Sequence, residues 1–284
     1  MAAVDPRDDP ASVIAANRVL LELWTILAGF ADALTIVGGS APPFLTGDRP
    51  DDPYVGTLDV DLVVDPIGIP DDVYRTIAEL LRDRGYVQLD QPFRWLRSVT
   101  VDGRSIDVEV DLLAPVTPRS GTGHRHERIG GEPLARRTEG AELVRTAHVE
   151  RDLAGVLPDG RQNRVVVRVA TPGALVILKA LAMGQRDKPK DAYDIDYLLR
   201  HIGVEEVAAE ITAFGRIEPV EKALAILAEK FASIDAIGPT SVALYRRFAI
   251  GSPDADQVQA AAYARVDRLA HLLTEARIGG QHAT

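Results

Sequence analysis

Two aspartates in the segment 58–65, LDVDLVVD, have the spacing that metal-dependent chemistry needs. Asp59 and Asp61 lie two residues apart in a pattern that predicts a β-strand, so their side chains point to one face. The rise of a strand separates them by about 6–7 Å along the backbone. Hard carboxylate oxygens are the ligands that Mg²⁺ takes in proteins. The pair is a candidate magnesium site, although a solvated strand also alternates acidic and apolar residues.

A second acidic strand is predicted at 105–113. Asp107, Glu109 and Asp111 alternate there with apolar residues and therefore share one face. If this strand lies beside segment 58–65, one of the three completes a site for two metal ions roughly 3.5–4 Å apart. Such a site clamps the attacking and leaving oxygens of a phosphoryl-type displacement. The spacing alone leaves the third carboxylate open among the three.

A glycine turn, Gly38-Gly39-Ser40, follows the short apolar run 33–37, which predicts a buried strand. Without Cβ atoms, glycines allow backbone N–H groups to approach a phosphate closely. Ser40, at the start of a following helix, can donate a hydrogen bond as well. The turn is a candidate phosphate-binding element.

Lys179 stands in the apolar segment 171–183, which predicts a helix with Thr171 as a capping hydroxyl and Pro172 at its start. A buried ammonium needs a carboxylate or a bound anion, and a triphosphate is the natural anion beside the acidic strands. The alternative is a lysine whose side chain reaches the surface.

Asp191 and Asp194 lie three residues apart, on one face of a helix predicted to begin near residue 190. Either carboxylate can cap that helix or accept a hydrogen bond from Arg186. A functional alternative is that Asp191 orients Lys179 or helps to deprotonate the acceptor.

Four basic residues are candidate contacts to RNA phosphates. Arg94 and Arg97 lie on a predicted strand that flanks the carboxylates, and Lys188 and Lys190 lie beside the second acidic motif. The glycine- and arginine-rich stretch 117–140 has no periodicity and predicts a mobile loop.

The apolar pattern divides the chain into two predicted domains, a mixed α/β domain at residues 1–170 and a helical C-terminal domain at residues 171–284. Within the first, the pattern predicts helices at 11–30 and 71–84 and strands at 33–37, 58–65, 86–89, 94–101, 105–113, 142–149 and 164–169.

Composition excludes several classes of function. There are no cysteines, so disulfides and thiolate metal sites are excluded. The net charge of −10 argues against coating nucleic acid by bulk attraction, although screening leaves room for a local basic groove. No apolar run reaches membrane-spanning length and the first residues lack the pattern of a signal peptide, so a cytoplasmic protein is expected.

Together these motifs resemble the AbiEii/MenT group of nucleotidyltransferases, toxins of bacterial toxin–antitoxin pairs within the polymerase-β-like superfamily. The group's four motifs read here as Gly38-Gly39-Ser40, Thr57-x-Asp59-x-Asp61, Lys179, and Lys190-Asp191-x-x-Asp194. The resemblance covers about residues 30–200. Loop 41–56 is longer than in compact members of the superfamily.

The resemblance implies an α+β fold, with a polymerase-β-like core built on a mixed sheet and a helical C-terminal domain. It implies transfer of NMP from an NTP, with Mg²⁺ as cofactor and pyrophosphate as leaving group. In relatives the acceptor is the 3′ end of tRNA, and a cognate antitoxin is the expected partner protein.

The resemblance also implies roles for individual residues. Asp59 and Asp61 would hold the metal ions, and Asp111 is favoured as third ligand because it precedes Leu112-Leu113 near the strand end. Asp191 would assist catalysis. The residues implied to bind the nucleotide are Gly38, Gly39, Ser40, Thr57 and Lys179.

Two other functions stay open at this point. The same chemistry can serve a small acceptor such as an aminoglycoside, or a protein side chain; the acidic composition slightly favours a cationic drug, whereas the arginine-rich loop favours RNA. A chain of this fold can also bind a nucleotide or a partner protein without turnover. The enzymatic hypotheses share the premise that the acidic strands, the glycine turn and Lys179 converge at one pocket.

Overall fold

The computed structural model describes residues 9–65, 74–116, 126–129 and 132–281. The chain divides into two compact units. The first comprises Met1–Phe44 and Asp48–Ala170, and the second comprises Leu45–Gly47 and Thr171–Thr284.

A mixed β-sheet forms the centre of the first unit. Its strands in the described residues are β1 (Leu34–Val37), β2 (Asp59–Val64), β3 (Val87–Gln88), β4 (Arg94–Val101), β5 (Arg104–Pro115), β6 (His126–Ile129), β7 (Glu132–Thr138), β8 (His148–Val156) and β9 (Gln162–Ala170). The main path runs β3-β4-β5-β2-β1-β9-β8, and β7 pairs with both β5 and β6. β2 is antiparallel to β1 and parallel to β5, so the two acidic strands are neighbours near the middle of the sheet.

The α-helices described in this part of the chain are α1 (Pro10–Ile26), α2 (Pro42–Thr46), whose last two residues fall in the second unit, and α3 (Tyr74–Asp83). Helix α1 begins at an Asp9 cap, whose carboxylate accepts from the backbone N–H of Ala11. Its apolar side, which includes Trp24, is buried, as is Trp95 of β4. The two tryptophans are among the largest fully buried side chains.

The second unit is helical. Its helices are α4 (Pro172–Met183), α5 (Pro189–His201), α6 (Val204–Ala213), α7 (Glu218–Lys230), α8 (Ile237–Tyr245) and α9 (Pro253–Gln281). Nearly every residue of α4 and α5 is buried, which explains why their sequences are either apolar throughout or place charged groups in internal pairs. None of the described helices is long and apolar enough to cross a lipid bilayer.

The predicted fold class, a mixed sheet followed by a helical domain, is confirmed. Three local predictions were wrong. The strand at 142–149 is instead the 3-10 helix Ala141–Arg145, with β8 beginning at His148. The described part of loop 117–140 contains the paired strands β6 and β7. Thr171 occupies the cap position of α4, but its side chain makes no capping hydrogen bond.

Candidate active site

The first strand of the acidic pair places two carboxylates on one face of the sheet. Asp59 opens β2 and Asp61 follows two residues later, while Val60 and Leu62 between and beyond them are completely buried on the other face. Asp59 is exposed and Asp61 is half-buried. The apolar residues therefore fix the orientation of the strand, and the acids are left pointing away from the core.

The register of β2 and β5 brings further carboxylates to the same place. Asp59 pairs with Glu109 and Asp61 pairs with Asp111 across the parallel strands. Neighbouring strands lie about 4.8 Å apart, so each pair of opposed side chains is within reach of a shared cation. Asp107 lies beyond this pairing and accepts a 2.5 Å hydrogen bond from the Ser98 hydroxyl. The register therefore favours Asp111 over Asp107 as a companion of Asp61.

The glycine turn lies directly against Asp61. Gly38 has a φ of +64°, and a Cβ atom at this position would overlap the Asp61 carboxylate. A side chain here would therefore be strained twice, by the backbone conformation and by steric overlap. The turn and the Asp61 carboxylate therefore pack closely against each other.

Two hydroxyl groups hold the start of β2 in place. The Ser40 hydroxyl donates to the carbonyl oxygen of Asp59 at 3.1 Å, and the Thr57 hydroxyl accepts from the Asp59 backbone N–H at 3.1 Å. Both hydroxyls thus bind the backbone of the first aspartate. A role in binding nucleotide stays a prediction for Ser40, Thr57 and the neighbouring Gly39.

Replacing Gly38 with alanine tests this packing. A residue with a Cβ pays roughly 1–2 kcal/mol at a positive φ, and the overlap with Asp61 adds to that cost. We expect Gly38→Ala to lower nucleotidyl transfer at least about tenfold, because Asp61 must shift. The matched control is Gly160→Ala, since Gly160 also has a positive φ of +87° but has no atom within 4 Å of the added Cβ. Full transfer by Gly38→Ala, measured beside this control, would show that the contact is not needed.

Arg94 binds the acidic face from the neighbouring strand β4. Its Nε donates to Asp111 Oδ1 at 2.7 Å and its Nη2 to Asp111 Oδ2 at 2.8 Å, while Nη1 lies 3.2 Å from Glu109 Oε2. The hydrogen bonds to Asp111, together with the charges of Glu109 and Asp59, raise the pKa of Arg94 above its ordinary value. The sequence analysis placed Arg94 near the carboxylates, and the structure adds its contact with Asp111.

The donor set fits the Mg²⁺ that the motifs imply. Asp59 and Asp61 offer hard oxygen ligands on one face of the sheet. The Asp61 carboxylate occupies the position that a Cβ atom of residue 38 would take, and this is possible because residue 38 is glycine. Both Asp111 oxygens accept hydrogen bonds from Arg94. Among the described residues no three potential ligands converge on one point. The assignment of metal binding to Asp59, Asp61 and Asp111 remains a prediction.

A buried charge network occupies the helical unit around Lys179. The Lys179 Nζ donates to Asp191 Oδ1 at 3.0 Å and lies 2.6 Å from Asp194 Oδ2. Arg186 forms a two-bond fork with Asp191 at 2.8 and 3.0 Å, and the Lys190 Nζ donates to Asp194 at 2.9 Å. Three positive side chains thus surround two carboxylates that are 1% and 0% exposed.

The electrostatics of this network bear on the role of Asp191. Burial alone would raise the pKa of Asp191, but the charges of Lys179 and Arg186 outweigh it and hold the pKa below its ordinary value. The pKa of Asp194 is also lowered, because Lys179 and Lys190 outweigh the effect of burial. A carboxylate with a lowered pKa accepts a proton poorly near neutral pH. The contacts of Asp191 with Lys179 and Arg186 fit a group that orients Lys179, and its part in catalysis stays a prediction.

Two of the four residues predicted to contact RNA form ion pairs within their own unit. Arg97 forms a fork with Glu22 of α1 at 2.9 and 3.2 Å, and Lys190 contacts Asp194. Burial lowers the pKa of Lys190, which the charge of Asp194 only partly offsets. Arg97 and Lys190 thus have ion-pair partners inside the protein, and a contact of either residue with RNA stays a prediction. Lys188 is exposed and keeps its predicted role as a candidate.

A mixed sheet with paired aspartates beside a glycine turn, followed by a helical unit, defines a nucleotidyltransferase-like protein. The chain belongs to the AbiEii family: residues 49–268 match the family described as nucleotidyl transferase AbiEii toxin, type IV TA system. The resemblance seen in the motifs is thereby confirmed at the level of the family. A comparison with curated proteins found no match.

Proposed function

We propose that this protein transfers the NMP group of an NTP to the 3′ end of an RNA, with tRNA as the first candidate. Through this reaction it acts as the toxin of a toxin–antitoxin pair. The observation that carries the proposal is the register of β2 and β5, which sets Asp59 opposite Glu109 and Asp61 opposite Asp111 on one face of the sheet. Membership of a family of nucleotidyltransferase toxins supports it.

The chemistry assigns a task to each group in the first unit. Asp59 and Asp61 would hold Mg²⁺, which when bound would neutralise the charge that develops on the phosphate oxygens during transfer. Ser40 and Thr57 keep the backbone of Asp59 fixed, so that its carboxylate is oriented before substrate arrives. The Gly38 turn lets the Asp61 carboxylate pack against its backbone, in a position where a Cβ atom of residue 38 would overlap it.

The charge network inside the helical unit carries an excess of positive charge. The network of Lys179, Arg186 and Lys190 with Asp191 and Asp194 has three cations and two anions, a net charge of +1. This excess makes Lys179 a candidate for binding an anion in addition to the two carboxylates that its ammonium already contacts. Asp191 orients the Lys179 ammonium for that binding.

Incubation of the protein with each α-labelled NTP, Mg²⁺ and total tRNA tests the proposal. We expect label in the tRNA and loss of labelling when the tRNA has first been oxidised with periodate, because oxidation destroys the 3′-terminal hydroxyls. Addition of EDTA should abolish the reaction and excess Mg²⁺ should restore it.

The same assay decides between acceptors. The net charge of −10 favours a cationic small molecule, so a parallel reaction contains an aminoglycoside in place of tRNA. Label on the aminoglycoside and none on tRNA would replace the RNA acceptor with a drug. Binding of NTP without transfer to any acceptor would contradict the enzymatic proposal altogether.

A further inference from the structure

We propose that Arg94 is an internal counter-ion of Asp111 and has to release it before Asp111 can coordinate a metal ion. This inference rests on the proposed function, since it assumes that Asp59 and Asp61 bind Mg²⁺. It assigns to Arg94 a regulatory role in assembly of the site instead of a contact with RNA.

The position of Arg94 follows from the pairing of three strands. Asp61 of β2 lies opposite Asp111 of β5, and Asp111 lies opposite Arg94 of β4. Opposed residues on paired strands share a face of the sheet, so these three side chains form one row. The middle member of the row, Asp111, therefore has a carboxylate on one side and a guanidinium on the other.

The geometry of the Arg94 contact makes it a direct competitor of a metal ion. A guanidinium that donates two parallel hydrogen bonds occupies both carboxylate oxygens, and Arg94 does so at 2.7 and 2.8 Å. Asp111 is only 13% exposed in its side chain, so water screens this pair less than a surface pair. A metal ion shared with Asp61 needs at least one of the same oxygens. The two states are mutually exclusive at that oxygen.

The surrounding charges explain why a counter-ion is needed. Asp59, Asp61, Glu109 and Asp111 lie in two adjacent rows on one face, and four like charges at this spacing repel. Arg94 contacts Asp111 and Glu109 together and so offsets part of this repulsion. Release of Asp111 by Arg94 is therefore unfavourable unless a divalent ion binds and offsets the repulsion among the carboxylates.

Binding of Mn²⁺ to the nucleotide-free protein, measured from the electron paramagnetic resonance signal of the free ion, tests the proposal. We expect Arg94→Met to bind Mn²⁺ about tenfold more tightly than the unmodified protein, since hydrogen bonds to charged groups are of that strength. Arg94→Lys keeps the charge but loses the fork, so a smaller gain is expected. The control is Arg145→Met, because Arg145 makes the same kind of fork with Asp65 at 2.6 and 3.0 Å.

A double variant separates release of Asp111 from a general effect of charge. In an Asp111→Asn background, Arg94→Met should give little or no gain in Mn²⁺ affinity, because the ligand it frees is gone. A tenfold gain that persists in that background would overturn the proposal, and so would unchanged affinity of Arg94→Met. Circular dichroism verifies that each variant is folded.

The same measurements show whether the role of Arg94 or the proposed metal site is wrong. If the unmodified protein binds Mn²⁺ and Arg94→Met binds it no better, only the role of Arg94 is wrong. If no variant binds Mn²⁺, with or without ATP, both the metal site and the counter-ion are wrong. A larger rise of Tm with Mg²⁺ in Arg94→Met than in the unmodified protein would support the proposal independently of activity.

Discussion

Replacing Asp61 with asparagine is expected to reduce nucleotidyl transfer by about a thousandfold or more. Asparagine has the size of aspartate but lacks the negative charge that holds a divalent ion. A bound metal supplies several kcal/mol of charge stabilisation in the transition state, and each factor of ten in rate corresponds to about 1.4 kcal/mol. Asp61 occupies the centre of the site, between the Gly38 turn and Asp111.

The measurement is the rate of label transfer from an α-labelled NTP, together with growth of cells that express each variant. Asp152→Asn is the matched control, because Asp152 is an exposed aspartate on β8 of the same unit that pairs with Arg164. This control should retain its rate and should inhibit growth. An Asp61→Asn protein that is folded and keeps a tenth of the rate would contradict the metal site proposed here.

The pairing of the two acidic strands could be predicted in part from sequence. The alternation of acids with buried valines specified which face of β2 and β5 carries the carboxylates, because a one-residue slip would expose Val60 and bury Asp61. Sequence did not specify that the two strands are neighbours. That adjacency depends on contacts between residues about 50 positions apart, which no local pattern encodes.

The Arg94–Asp111 pair, by contrast, had a signal in the sequence. Asp102 and Gly103 both have positive φ values, 48° and 77°, as a two-residue hairpin turn of the type I′ class requires. Counting outward from this turn pairs Val101 with Arg104 and ends by pairing Arg94 with Asp111. An Asp-Gly pair between two predicted strands is itself a hairpin signal, and extension of the count along both strands predicts the ion pair.

The incorrect strand at 142–149 has a physical explanation. A short apolar run cannot be assigned to strand or helix by periodicity alone. Gly140, with a φ of +82°, precedes a 3-10 helix that buries Ala141, Leu143 and Val144. Arg145 ends this helix and forms its fork with Asp65 just after β2. The 3-10 helix is thus accompanied by a contact between Arg145 and Asp65, which are distant in sequence, and a local pattern could not reveal it.

Asp194 is the position where the largest loss of stability is expected. Its carboxylate is completely buried between the ammonium groups of Lys179 and Lys190, at 2.6 and 2.9 Å. In Asp194→Asn, Asp191 alone faces both ammonium groups and the guanidinium of Arg186. Removal of one partner from a buried ion pair typically costs about 3–5 kcal/mol, because a charge is left without compensation. We expect the free energy of unfolding to fall by about that amount.

A second substitution tests the cause. Lys190→Met in the Asp194→Asn background removes the ammonium that loses its i,i+4 partner, and should restore part of the stability. Chemical denaturation of the two single variants and the double variant gives the coupling between them. Additive losses would mean that Lys190 and Asp194 do not stabilise one another.

The pH dependence provides an independent measure of the same carboxylate. The pKa of Asp194 lies below its ordinary value of 3.8 in the folded protein. Its ionised form therefore stabilises the fold fully above about pH 4, and this contribution is lost as the pH falls through the lowered pKa. The difference in stability between the unmodified protein and Asp194→Asn should be largest near neutral pH and should shrink in acid. A difference that is constant from pH 7 to pH 3 would show that the ionised carboxylate does not stabilise the helical unit.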